Sequence, residues 1–375
     1  MTGGTDQQAA LTTAQRAALA HVRDLATKAR AEALTRLGDV PDVAALLELV
    51  AAHGRVTLNF HPDRLLADGR TVAESLAADG VYRSQFETGV TNGSRTAFLD
   101  GDRDRWEREL FGGAYHAPGG LPGDRPRYGG LNLLRHPDGA CPRFGSCHVR
   151  LRPHVNARCT VTVGDSHLGP ADAGTFDAFE VVLAGYVTQA RQTGVTLGRR
   201  GADPLAALRR LAERDPVAEH GRALDDYLEV QVHGPVELAA DAEALVLDPS
   251  FRGTASGDLL ADLAARCGLA LEWHAGFELT PAEVGPDFRG PAIPPLAAAV
   301  CARYDRDSFD AALVGRAAAD MLRDPAAWAA HGTPDELLQY VKQLWHTLNH
   351  AGRPWGGPVA VHGPAALRRR SAGAR

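Results

Sequence analysis

A chain of 375 residues with 45% hydrophobic and 23% charged side chains can bury one large core or two moderate ones. Its formal charge of −6 and pI near 6.2 give no overall basic surface, so there is no strong nucleic-acid signal. No apolar run reaches bilayer-spanning length, and Met1 to Gln8 lacks the basic and apolar regions of a secretory signal. The expectation is a cytoplasmic protein with no membrane partner. Five cysteines, an odd number, argue against a disulfide framework. Only Lys28 and Lys342 are lysines, so arginine carries nearly all positive charge and single arginines say little.

Residues 1–11 read as disordered. Thr12 with Gln15 matches a capping box, and Leu19, Val22, Leu25 and Ala29 recur at helical spacing. A second helix over Val43 to His53 stops at Gly54, which closes an N-terminal helical region over 12–54. Val56 to Phe60 then reads as a strand and Thr71 to Ala78 as a helix. Asp100 to Gly130 is rich in Gly, Pro, Arg and Asp yet carries Trp106, Phe111, Tyr115 and Tyr128, so an ordered loop against a site is expected.

Strands are expected at Leu131–Leu134, His148–Leu151, Cys159–Val163 and Tyr227–Val232, and helices at Phe176–Arg191 and Leu205–Leu211. Short strands at Ala244–Leu247 and Leu269–Trp273 flank a helix over Asp258–Cys267. Gly290 to Pro295 marks a boundary, since adjacent prolines interrupt regular structure. Beyond it, 296–352 is a C-terminal helical region whose last helix begins at Thr333-Pro-Asp-Glu336. Residues 353–375, with Arg368, Arg369 and Arg370, read as a flexible tail. The predicted class is α+β, with a mixed or antiparallel core sheet over 55–290 and helical additions at both ends.

The densest chemistry lies in Val56-Thr-Leu-Asn-Phe-His-Pro-Asp-Arg64. An apolar strand ends in His61, Asp63 and Arg64 around Pro62, which keeps His61 out of the helical region. His61-Pro-Asp63 is also the tripeptide of J-domain co-chaperones, where it joins two helices, but Gly54 to Phe60 favours a strand. Tyr82 to Gly89, running into Thr91-Asn-Gly-Ser94, has two readings. One is a turn after a half-buried strand. The other is a ligand wall, with Tyr82 and Phe86 against a planar ring and the Ser84 and Thr88 hydroxyls fixing it.

In Tyr227-Leu-Glu-Val-Gln-Val-His-Gly234, Tyr227, Glu229, Gln231 and His233 share one strand face and Leu228, Val230 and Val232 the other. The polar row suits either water or a cleft, and Gly234, which admits another backbone, favours the cleft. Pro126–Asn132, Pro142–Cys147 and Thr160–Ser166 pair short strands with glycine turns, and Asp165 and Ser166 are within reach of a ligand. None has phosphate-loop spacing. Cys141, Cys147 and His148 lack zinc-module spacing, and His346 and His350 have no His-Glu-x-x-His pattern, so no metal is assigned.

Taken in order, His61-Pro-Asp-Arg64, Ser84-Gln-Phe-Glu-Thr-Gly89, Tyr128-Gly-Gly-Leu-Asn132, Pro142-Arg-Phe-Gly-Ser146 and Gln231-Val-His-Gly234 resemble a bacterial family catalogued only as a domain of unknown function. That likeness runs from about Arg55 to Phe277 and names no activity. More distantly, the layout is similar to that of ADP-ribosyltransferases. These enzymes place Arg or His at the end of a first strand, an aromatic, hydroxyl-bearing segment next, and a Glu near the start of a later strand. The resemblance implies His61 in the first role, Tyr82 with Ser84 and Thr88 in the second, and Glu229 in the third. Two departures stand. Tyr227 occupies a position where that superfamily usually has Gln or Glu, and the second motif has no Ser-Thr-Ser.

The resemblance implies an NAD-dependent transferase that cleaves the nicotinamide–ribose bond, with NAD as substrate and an unnamed acceptor. Glu229, His61 and Gln231 would act in catalysis, and Arg64, Tyr82, Ser84, Phe86 and Thr88 would hold NAD. Two alternatives stay open. One is a nucleotide or phosphodiester hydrolase using His61, Asp63 and His233, with or without a metal. The other is a non-catalytic module that grips a protein partner.

Overall fold

The first helix (α1, Thr13–Arg36) begins where Thr12 and Gln15 satisfy each other's backbone N–H groups at 2.9 and 3.3 Å. The computed structural model describes residues 11–89, 97–169, 171–213 and 221–356. The second helix (α2, Val43–His53) ends at Gly54, as its apolar run requires. Eight strands follow in one sheet: β1 Val56–Phe60, β2 Arg127–Leu131, β3 Cys147–Leu151, β4 Cys159–Val163, β5 Ala173–Thr175, β6 Leu228–Val232, β7 Ala242–Leu247 and β8 Ala270–Trp273. Their order is β8-β7-β3-β1-β2-β6-β4-β5, antiparallel throughout except for β7 and β8. With helices at both ends, this is the expected α+β class with a mixed sheet.

The register places the site. β1 pairs with β3 from Thr57↔Arg150 to Phe60↔Cys147, but with β2 only at Val56↔Leu131 and Thr57↔Gly130. β2 pairs on its other side with β6, from Gly130↔Glu229 to Arg127↔Val232. Beyond Thr57 the sheet therefore forks into two halves. Gly129 and Gly130 sit where the fork closes. A Cβ on Gly129 would stand 2.3 Å from the Thr57 carbonyl oxygen, and one on Gly130 would stand 2.4 Å from Cys141 Sγ. Glycine inside a strand here marks a close backbone approach. The same pair explains why the strand expected at Leu131–Leu134 lies upstream instead. Gly129-Gly130 reads as a turn, yet it is strand interior.

Helices cover the sheet: α3 Val72–Asp79, α4 Gln85–Thr88, α5 Asp102–Leu110, α6 Glu180–Thr193, α7 Ala255–Cys267, α8 Ile293–Arg303, α9 Ala311–Arg323 and α10 Pro334–Ala351. The stretch expected as loop from Asp100 thus contains α5. Its buried face is ionic, since Asp104 and Glu107 both bind the Arg125 guanidinium, at 2.5 and 2.7 Å. Apolar periodicity does not register such a face. α8 begins at Ile293, so Pro294 and Pro295 occupy the first turn, where no N–H is needed.

The helices beyond Gly290 are not a separate body. Ile293, Leu296, Val314, Leu344 and Trp345 share one buried cluster with Val56, Leu58, Val149 and Val230 of the sheet. Thr333 and Glu336 cap α10 as their spacing requires. The expected mobile tail at Arg368–Arg370 and the Thr91-Asn-Gly-Ser94 turn lie outside the described residues. No helix among the described residues is long and apolar enough to cross a membrane.

Candidate functional site

The fork holds a cavity of about 140 Å³. One wall is the end of β1 and the turn after it, with Asn59, Phe60, His61 and Arg64. The other is Arg127, Tyr128 and Gly129 of β2 with Glu229 of β6. Tyr82 closes the gap: its hydroxyl donates to the Asn59 carbonyl at 3.2 Å, while its own carbonyl accepts from Arg127 Nε at 3.3 Å. Thr88, Arg103, Cys141, Phe144 and Asp165 also line it, with apolar side chains such as Leu66, Val72 and Leu76. His61, Arg64, Tyr82, Thr88 and Glu229, far apart in the chain, are therefore brought together.

Glu229 faces the cavity but is 4% exposed. Burial, with the nearby Asp165 carboxylate, pushes its carboxyl up to about 7. Hydrogen bonds from Ser166 and Gln231 and the positive charge of Arg103 act the other way. Asp165 itself is held below the usual carboxylate range. Burial opposes this, but the Tyr227 hydroxyl at 2.8 Å and His167 Nδ1 at 2.7 Å outweigh it. Two carboxyl groups on one wall are thus shifted in opposite directions. Arg103, from α5, lies 4.4 Å from the centre of the Tyr128 ring.

Gln231 does not line the cavity. It stands behind Glu229 and donates to Glu229 Oε1 at 2.9 Å. Its own carbonyl accepts the Thr160 hydroxyl at 2.7 Å, and Thr160 meets His233 Nε2 at 3.2 Å. The other ring nitrogen of His233 meets the Tyr115 hydroxyl at 2.5 Å. With Thr160 donating to Gln231, His233 donates through Nε2 and accepts from Tyr115. Every hydrogen in the chain then points toward Glu229, and the amide of Gln231 is oriented with its N–H on the carboxylate. The polar face of β6 is therefore neither solvated nor an open cleft. It is a buried network ending on one cavity-facing acid.

His61 reaches the cavity from the other side, with its ring edge-on to Trp345 at 5.1 Å. Burial and the charge of Arg64 lower its pKa to about 3, so the imidazole is neutral. Asp63 turns away, accepting the Ser256 hydroxyl at the start of α7 and facing Gly315 of α9. These contacts fasten the turn to α7 and α9. His61-Pro-Asp63 ends a strand, unlike the interhelical loop of co-chaperones. His233 is fully buried away from the cavity.

Two of the expected ligand contacts lie outside the cavity lining. Ser84 is 0% exposed and caps α4: its hydroxyl accepts from Glu87 N at 3.2 Å and donates to the Pro122 carbonyl at 2.9 Å. Phe86 lies under the Arg125 guanidinium at 4.4 Å, outside the cavity lining. In place of these two, the site contains Arg103, Tyr128 and Asp165. Asp165, in its strand-end turn, and Tyr128, among the aromatics expected beside a site, gave a signal in the sequence; Arg103 gave none.

Among the described residues no group of three or more His, Cys, Asp or Glu side chains is placed to hold a metal ion. His346 and His350 each meet a backbone carbonyl instead, at 3.2 Å in both cases. The five cysteines are all unpaired, and four of them are buried.

No curated protein matches the chain. A family match extends from residue 55 to residue 350, beyond the stretch of motifs that first suggested it and through the C-terminal helices. With most of its length so matched, the chain belongs to the family described as "Protein of unknown function (DUF3626)".

Proposed function

We propose that the cavity binds NAD and that the protein is an ADP-ribosyltransferase-like enzyme, cleaving the nicotinamide–ribose bond and passing the ADP-ribosyl group to an acceptor. The observation that carries the reading is the opening of Glu229 and His61, from opposite sides of the sheet fork, onto one cavity that also holds Tyr82, Tyr128 and arginines. As the C–N bond breaks, nicotinamide leaves with the bonding electron pair and positive charge develops on the ribose. The Glu229 carboxylate stabilises that charge. The acceptor's lone pair then forms the new bond to the ribose carbon, and its proton passes to Glu229. A carboxyl raised to about 7 suits that proton transfer, and the cationic nicotinamide ring of bound NAD favours its ionised form.

The neutral imidazole of His61 hydrogen-bonds the ribose, Tyr82 packs against the nicotinamide ring, and Arg64 meets the diphosphate. Gln231 positions Glu229 without touching substrate. The test is release of nicotinamide from NAD by the full chain, with Glu229→Gln as the control. Release that persists in the variant, or no release across a panel of acceptors that includes water, overturns the reading.

A further inference from the structure

A second, smaller cavity shares His61 and Arg64 with the first and continues between α9 and α10, lined by Val314, Ala318, Val341, Lys342 and Trp345. Positive charge gathers around it. Lys342, one of two lysines in the chain, is held below its ordinary pKa by burial and by the charges of Arg143, Arg289 and Arg64. Burial and the charges of Arg289, Arg143 and Lys342 press His346 down to about 2, so it stays neutral and adds no further cation.

The local turns explain the convergence. Trp345 Nε1 donates to the Pro142 carbonyl at 2.8 Å, and His346 Nε2 meets the Arg143 carbonyl at 3.2 Å. These bonds dock the Pro142–Phe144 turn, which bears Arg143, onto α10. Phe144 of the same turn lines the first cavity.

Among the described residues, counter-charge beside Arg143, Arg289 and Lys342 is scarce. Arg143 and Arg289 share one carboxylate, Asp225, which is 60% exposed, and the Arg289 contact is long at 3.5 Å. Lys342 donates to a neutral amide, Gln339 Oε1, at 2.7 Å. Among the described residues, the Nε atoms of Arg143 and Arg289 are buried with no hydrogen-bond partner. Like charges held this close are unfavourable in a half-buried setting unless an anion joins them. Planar guanidinium forks beside an ammonium match the oxygens of a phosphoryl group.

We propose that Arg64 and Lys342, which both line the second cavity, bind a phosphoryl group, preferably a diphosphate, with Arg143 and Arg289 adding positive charge beside them. The inference extends the NAD reading, because it places the charged middle of a dinucleotide beside His61. It is read by anion binding, so it fails or survives separately from turnover.

The experiment titrates inorganic pyrophosphate into the full chain by calorimetry, at low and high salt, for the parent, Lys342→Gln and Arg289→Gln. Pyrophosphate is expected to bind the parent, more weakly at high salt, and to bind each variant about tenfold or more weakly. Lys342→Arg keeps the charge and retains binding. The thermal midpoint of each ligand-free Gln variant is expected to be no lower than the parent's, because a repelling charge has gone. A repeat in the presence of NAD identifies the source of the group. Competition assigns the site to the dinucleotide's own diphosphate, and simultaneous binding assigns it to a phosphorylated acceptor. Absence of pyrophosphate binding, or binding that the Gln variants leave unchanged, overturns the proposal. Failure to release nicotinamide would overturn only the NAD reading.

Discussion

The two walls of the fork are built differently. On the β2–β6 side, Glu229 is delivered from a strand interior, with neighbours fixed by register: Gly130 on one flank, Thr162 on the other, and Gln231 two residues along. On the β1 side, His61 comes after the last paired residue, Phe60, and is held by helices through Trp345 and the Asp63–Ser256 contact. The acid is therefore preorganised by the sheet. The imidazole is positioned by packing against α7, α9 and α10, elements that the chain adds up to some 290 residues later. Substitutions in the C-terminal helices should disturb the His61 wall and leave the ionisation of Glu229 unchanged.

The largest expected effect tests the sheet-held wall. Glu229→Gln should lower nicotinamide release about a hundredfold or more, as loss of a central electrostatic group does. It should not weaken the fold. The Glu229 carboxyl titrates near 7 in the folded protein against an ordinary value of 4.5, so between those limits the folded chain retains a proton that the unfolded chain has lost. Stability contributed by the neutral form is thus lost as pH rises through that window. Above pH 7 the glutamine variant should be more stable than the parent by about 1 kcal/mol or more. Denaturant midpoints at pH 5 and pH 8 check this, and a variant destabilised at pH 8 would show that Glu229 is buried as a paired anion.

Gly129→Ala strikes the point where the two walls meet. The new methyl would lie 2.3 Å from the Thr57 carbonyl and 2.6 Å from Leu58 Cδ2, and a backbone oxygen cannot rotate aside. A loss of about 3 kcal/mol in stability is expected. An unchanged denaturation midpoint would mean that β1 and β2 do not approach as closely as their register requires.

Gln231→Leu separates positioning from chemistry. Removing the amide deletes a hydrogen bond to the charged form of Glu229 and so raises its pKa, by about one unit. Nicotinamide release by the parent should rise as pH climbs through about 7, and the variant's rise should come later. At pH 6 the variant should be about tenfold slower, and at pH 9 nearly equal. A uniform loss at every pH would instead assign Gln231 a direct contact with substrate.

Caps and apolar strands were legible because each is local. Thr12–Gln15 and Thr333–Glu336 announce helix starts, and Val56–Phe60 and Cys159–Val163 announce strands. His61, Arg64, Tyr82 and Glu229 stood out in the sequence as polar groups at strand ends or on a strand's polar face, and Thr88 as a hydroxyl in the segment after Tyr82. The fork was not, because Gly129-Gly130 spells a turn unless the carbonyl of Thr57 is known to lie against it. Arg103 was hidden too, since α5 buries charge where a helix is usually recognised by apolar spacing. The opposed shifts of Glu229 and Asp165 depend on a contact between segments more than sixty residues apart.

Ser84 gives the smallest effect, and it discriminates between a wall that touches ligand and one that only supports it. Its hydroxyl is spent on Glu87 N and the Pro122 carbonyl, both outside the cavity, so Ser84→Ala removes a helix cap and about 1 kcal/mol of stability. Neighbouring Tyr82 and Thr88, which do line the cavity, remain in place. Nicotinamide release should stay within about twofold of the parent at temperatures where both are folded, a change of under 0.5 kcal/mol in the barrier. A drop of tenfold or more with the fold intact would mean that the hydroxyl leaves its cap and meets the ligand. The segment after Tyr82 would then be a binding wall, and the His61 side of the fork would be held by substrate as well as by helices.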